Sequence, residues 1–141
     1  MVESELEGHI IVCGYGLVGE KIVDVLLQHN LKFVVIELDA AKVGLLEQKG
    51  IRAIHGDATS SRALKQAGAE RASAIAIAMD DDAKNLFAVI TAKSLNDKII
   101  IATRANDEFL RDKLREAGAG FVATPNKSAS DELFREISGG A

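Results

Sequence analysis

The sequence predicts an α/β fold, a doubly wound parallel sheet of six strands in the order 3-2-1-4-5-6, and three observations predict it. Six short apolar runs recur at intervals of roughly twenty residues, with helical patterns between them, the signature of repeated βαβ units. Most runs are continuously apolar rather than alternating, as in strands covered on both faces. The first run leads straight into a glycine-rich loop that opens the first helical segment.

The elements follow in order. The first strand is Ile10–Cys13, and a helix from Gly16 to Asn30 directs Ile22, Val23, Leu26 and Leu27 inward. Phe33–Ile36 is the second strand. The helix over Ala40–Lys49 stops at Gly50, a glycine placed to close a helix end. Ile51–Ile54 is interrupted by Arg52, as an edge strand would be, and the next helix covers Ser60–Ala67 before Gly68. Ala74–Ala78 precedes a helix over Asp81–Leu95; Ile99–Ala102 precedes one over Asp107–Ala117, which ends at Gly118. Phe121–Ala123 is the sixth strand. The last helix is expected to begin at Ser130 as its cap and to run through Phe134 and Ile137. Residues 9–137 thus form one domain, with acidic, patternless residues 1–8 read as a linker and 138–141 as a flexible tail.

Composition narrows the function classes. Hydrophobic residues are 48% of the chain but aromatic ones only 4%, so the core is aliphatic. The net charge is −4 and no Lys/Arg cluster occurs, which argues against a nucleic-acid surface. The single cysteine, Cys13, excludes an internal disulfide and suits a reducing cytoplasm; as a small buried hydrophobe it needs no further role. Apolar runs of about five residues fall far short of the ~20 that cross a bilayer, so no direct membrane insertion and a cytoplasmic location are expected.

The loop Gly14-Tyr15-Gly16-Leu17-Val18-Gly19 carries the chemistry. Gly14 permits the tight turn, Gly16 lets the backbone approach a pyrophosphate, and Gly19 lets the helix pack closely on the strand. A phosphate is expected on free N–H groups at the positive end of the first helix. Glu37, followed by Leu38, ends the second strand, where its carboxylate would accept hydrogen bonds from both ribose hydroxyls. That charge repels a 2′-phosphate, favouring NAD(H) or an adenine nucleotide (AMP, ADP or ATP) over NADP. The competing reading is a plain tight turn with a surface glutamate.

Other candidates lie at the same carboxyl edge. Asp57 and Ala58, in His55-Gly56-Asp57-Ala58-Thr59, would stand near the adenine, although Asp57 or Thr59 could equally cap the next helix. Met79 and Asp80 would border the second half of a dinucleotide or the terminal phosphates, while the acidic run Asp80–Asp82 also suits a helix start. Asp57, Asp80 and Asp82 are weak candidates for a divalent cation, without any dedicated spacing. Arg104 could reach a phosphate or pair with Asp107 or Glu108. His9, His29 and His55 show no metal-ligand spacing.

No hydrolase, metalloprotease or redox motif appears, and the sheet leaves no separate substrate region, so no catalytic residue is assigned and binding without turnover is expected. The alternative is an NAD-dependent oxidoreductase or its cofactor-binding half. Apolar residues are in excess: Leu86, Phe87, Val89 and Ile90; Phe109, Leu110 and Leu114; Leu133, Phe134 and Ile137. They either pack on the sheet or form a subunit interface.

In combination, "IIVCGYGLVGEKIV", "VVIELD", "GIRAIHGDATS", "ALKQAGAERASAIAIAMDDDAKN", "IIATRAN" and "LREAGAGFVATPNK" resemble the RCK domain, also called KTN or TrkA-N, the regulatory ligand-binding module of potassium channels and transporters. The likeness covers about residues 9–137 and implies a single Rossmann-like N-terminal lobe. It implies homodimers assembling into an octameric ring, a ligand at the dinucleotide site, and coupling to a membrane pore or transporter subunit. Carried over by position, Gly14, Gly16, Gly19 and Glu37 contact phosphate and ribose, Asp57 and Ala58 lie at the adenine, and Met79, Asp80 and Arg104 border the site. Some members have arginine at the position of Leu17, and some have a metal-binding glutamate where Asn126 follows Pro125. Both departures weigh against those particular contacts here. The usual C-terminal lobe is not present in this sequence, which reads as an excised fragment or the N-terminal lobe of a soluble subunit.

Overall fold

The computed structural model describes residues 6–139, apart from the side chain of Asn126. Its six strands are β1 (Ile10–Cys13), β2 (Phe33–Glu37), β3 (Ala53–His55), β4 (Ala74–Ile77), β5 (Ile100–Arg104) and β6 (Phe121–Ala123). They form one sheet in the order β3-β2-β1-β4-β5-β6, and every pairing is parallel. The helices are α1 (Leu17–Gln28), α2 (Ala40–Gln48), α3 (Ser61–Gln66), α4 (Asp82–Leu95), α5 (Arg111–Ala117) and α6 (Pro125–Ile137).

Alternation along the strands builds a core on each face of the sheet. Val12 and Val35 meet Val23 and Leu26 of α1 and Leu46 of α2 on one side. Ile11, Cys13, Ile36, Ile75 and Ile77 meet Leu64 of α3, Ala88 and Val89 of α4 and Leu114 of α5 on the other. Every residue of β1 and β2 after the first is buried, but β4 and β5 alternate between buried and more exposed residues. Ala76, Ala102 and Phe121 line a shallow apolar groove on the uncovered side. The expectation that most strands are buried on both faces therefore fails for β4–β6. The helices that pack on those strands, α4 and α5, belong to one core only.

Several boundaries move for local physical reasons. Ile51 caps α2, its N–H donating to the Leu46 carbonyl at 2.9 Å, so the edge strand begins only at Ala53. The last helix starts at Pro125 rather than Ser130, since proline suits the first helical position, where no N–H is needed. Residues 108–110 form a 3₁₀ turn ahead of a shorter α5. In α1 Gly19, Val23 and Leu26 are buried and Ile22 packs on the same core, while Leu27 is half-exposed. Leu6 is buried, the Gly8 N–H donates to the Arg71 carbonyl at 2.8 Å, and Arg71 Nε donates to the Leu6 carbonyl at 3.0 Å. Residues 6–8 of the expected linker thus pack against the domain, while residues 1–5 lie outside the described residues, as do 140 and 141 of the expected tail.

Candidate functional site

At the carboxyl edge of the sheet, where the crossovers from β1 and β4 leave in opposite directions, a crevice of about 540 Å³ opens. Its floor is the glycine loop. Gly14 carries φ +97°, and a Cβ there would stand 3.3 Å from both the Ala78 carbonyl oxygen and Met79 Cγ. A Cβ on Gly19 would collide with the carbonyl of Gly14, so only glycine lets α1 sit this close to β1. A Cβ on Gly16 would meet nothing within 4 Å, because that position faces the open crevice. The first backbone bond of α1 runs from Glu20 N–H to the Gly16 carbonyl at 2.9 Å. The amides of Leu17, Val18 and Gly19 therefore precede the helical ladder, and Gly16, as N-cap, supplies no side chain to satisfy them.

Glu37 ends β2 at the crevice, as its sequence position suggested, and is only 9% exposed. Its Oε1 accepts the Tyr15 N–H and its Oε2 the Asp39 N–H, each at 2.7 Å. The carboxylate braces the glycine loop against the start of α2. Each oxygen retains a lone pair that a ribose hydroxyl could use. Leu38 is exposed beside it, and the His55 ring Nε2 donates to the Leu38 carbonyl at 2.9 Å.

On the adjoining wall, Asp57 Oδ1 accepts the Thr59 N–H at 2.9 Å and the Thr59 hydroxyl at 2.7 Å. Those two donors hold its carboxyl below the usual carboxylate range, with Lys84 adding a smaller favourable charge. Neither Asp57 nor Thr59 caps α3; Ser60 does, its hydroxyl accepting the Ala63 N–H. Asp81 caps α4, whereas Asp82 accepts the amides of Asn106 and Asp107 at 2.8 Å each. Arg104 pairs with neither Asp107 nor Glu108. Its Nη2 donates to Asn106 Oδ1 at 2.6 Å, and Glu108 instead lies 3.9 Å from Lys127. Among the described residues no group of three or more His, Cys, Asp or Glu side chains is arranged to hold a metal ion, and Asp57, Asp80 and Asp82 do not gather into one.

Gly14, Tyr15, Gly16, Leu17, Val18, Glu37, Leu38, Asp57, Ala58, Met79, Asp80 and Arg104 all line the crevice; Gly19 packs beneath it and Asp82 lies outside its lining. Sequence reasoning missed Lys42 and Lys84 on the rim, together with Ile36, Gly56, Ala78 and Pro125. Both lysines stand third in α2 and α4. A helix that follows a strand begins at this edge, so its first turn was the signal that could have found them. Cys13 is buried beneath the loop, its thiol pushed up to about 12 by burial, and it stays protonated. A larger hollow of about 730 Å³ at the opposite edge, lined by residues such as Leu31, Phe33 and Arg52, has no such loop.

Fold and crevice together define a Rossmann-like domain with a glycine-loop site at the topological switch point. Residues 10–125 match the TrkA-N domain, and the chain belongs to that family. It is 36% identical over 134 residues to potassium channel protein 1 of Methanocaldococcus jannaschii, covering 94% of this chain and 40% of the relative. It is 32% identical over 132 residues to the glutathione-regulated potassium-efflux system protein KefC of Enterobacter sp., covering 94% of this chain and 21% of KefC. The chain thus spans less than half the length of these relatives. Among solved structures, the TrkA-N domain of the Escherichia coli inner membrane protein ybaL superposes with a TM-score of 0.90 at 25% identity, covering 94% of this chain and 98% of that one. The GsuK channel bound to NAD superposes with a TM-score of 0.76 at 25% identity, covering 84% of this chain and 22% of the channel. No helix among the described residues is long and apolar enough to cross a membrane.

Proposed function

We propose that this domain binds NAD(H) or an adenine nucleotide in the glycine-loop crevice and, through it, regulates a potassium channel or transporter. The observation that carries the reading is the convergence, in one crevice, of the unladdered amides of α1 with Glu37 and Asp57. The similarity to GsuK, a channel that has been seen with NAD bound, supports the same ligand class. The phosphate rests on the amides of Leu17 and Val18, the ribose on Glu37, and the adenine near Asp57 and Ala58. Met79, Asp80 and Arg104 border the remainder. A carboxylate at the ribose disfavours the 2′-phosphate of NADP.

The domain acts without turnover, as a cytoplasmic regulatory unit at the inner face of a membrane. Ligand shifts its conformation by binding one state better than another. Phe87, Ile90, Phe109, Leu133, Phe134 and Ile137 are all exposed, which supports a homodimer that builds an octameric ring against a pore or transporter subunit. Isothermal titration with NAD⁺, NADH, AMP, ADP and ATP tests the reading. Saturable binding of at least one is expected; no heat from any of the five overturns it.

A further inference from the structure

Asn85 is wholly buried, one helical turn into α4, and all its polar atoms are engaged. Its Oδ1 accepts the Met79 N–H at 3.1 Å, and its Nδ2 donates to the Met79 carbonyl at 2.9 Å and to the Arg104 carbonyl at 3.1 Å. The set fixes the carboxamide's orientation, since a flipped amide would place its oxygen against two carbonyls. The ladder between β4 and β5 ends with Ile77 opposite Thr103. Beyond it the Asn85 side chain stands in for the missing rungs, holding both main-chain groups of Met79 and the end of β5.

Met79 and Arg104 both line the crevice, so this one side chain sets where they stand. The same helix runs beside the segment that carries the opposite wall: the Thr91 hydroxyl donates to the Phe87 carbonyl at 2.8 Å and has the Thr59 carbonyl, next to Ala58, at a longer 3.3 Å. The outer side of α4 carries Phe87 and Ile90, which are 58% and 47% exposed, only two and five residues from the bracket. A helix of 14 residues moves as a rod of about 21 Å.

We propose that Asn85 is a positioning residue that fixes the crevice lining at Met79 and Arg104 and passes the crevice's ligand state to the exposed face of α4. It touches no ligand itself. The inference rests on the nucleotide reading above. A hydrogen-bonded carboxamide suits the task because its bonds tie three segments in one direction-specific arrangement, where an apolar contact would allow sliding.

Hydrogen–deuterium exchange of the full chain, with NAD⁺ and AMP as probes, tests it alongside calorimetry on the wild type, Asn85→Ser and Asn85→Asp. In the wild type, bound nucleotide is expected to slow exchange in the glycine loop, around 79–80 and 104–106, and along 82–95. Asn85→Ser is expected to weaken binding about tenfold, as the loss of one or two net hydrogen bonds implies. At saturation it keeps protection in the glycine loop and loses it along α4. Asn85→Asp, which retains the acceptor but sets oxygen against two carbonyls, is expected to lose α4 protection likewise. Wild-type α4 protection in both variants overturns the proposal. So does a wild type that binds nucleotide without protecting α4, a result independent of whether the variants fold. If none of NAD⁺, NADH, AMP, ADP and ATP binds the wild type, the nucleotide reading itself fails and this inference falls with it.

Discussion

Gly16 and Gly19 sit three residues apart on the same loop, yet side chains at the two positions would fail in opposite ways. At Gly16 the added atoms would project into open space where a phosphate must approach the backbone. Gly16→Val is therefore expected to abolish nucleotide binding in calorimetry while costing only about 1 kcal/mol of stability, since valine is a poorer N-cap than glycine. Retained affinity would count against the pose. At Gly19 the added methyl meets the Gly14 carbonyl, backbone against backbone. Gly19→Ala is expected to cost at least about 1–3 kcal/mol in urea unfolding, because neither side can give. The tight turn at Gly14 and the close packing at Gly19 were legible in the sequence, from the loop's spacing between a strand and a helix. The bracing role of Glu37 was not, because the Tyr15 and Asp39 amides become its partners only once β2 and the loop lie side by side. Nor did the sequence reveal Asn85, whose partners lie 6 and 19 residues away.

At the scale of an element, the entry to β1 is a latch that charge patterning concealed. His9 is fully buried, and its Nε2 donates to the Ala67 carbonyl at 2.6 Å, which leaves Nδ1 without a partner among the described residues. Burial, followed by the nearby charges of Arg71, Lys32 and Arg52, holds its pKa below the ordinary histidine value, against the raising effect of the Ala67 bond. The folded chain therefore resists the proton that the unfolded chain accepts from about pH 6.5 downward. Stability is full above that pH and declines as pH falls towards the folded pKa. Urea midpoints are expected to drop between about pH 7 and pH 5.5, with a flatter profile in His9→Gln. An equal slope in the variant would contradict the latch. Residues 1–8 read as linker because acids dominate them, although Leu6 is buried in the core. The start of α6 was missed because Ser130 offered a capping side chain, whereas the helix opens on Pro125, whose ring suits the first helical position.

For the whole molecule, strand order was legible because alternating βα units with right-handed crossovers permit few arrangements. The open face over β4–β6 was not. Alanine-rich runs such as Ala74–Ile77 look continuously apolar whether or not a helix covers both sides. Which ligand occupies the crevice depends on the same architecture, since the loop, the acid of β2 and the Asp57 wall come from three separate βα junctions. The most direct measurement is a crystal structure of the domain grown with NAD⁺. The account predicts density in the crevice, with the diphosphate against the Leu17 and Val18 amides and a ribose on Glu37. A crevice left vacant with NAD⁺ and likewise with AMP, ADP and ATP, or filled by the protein's own side chains, would contradict it.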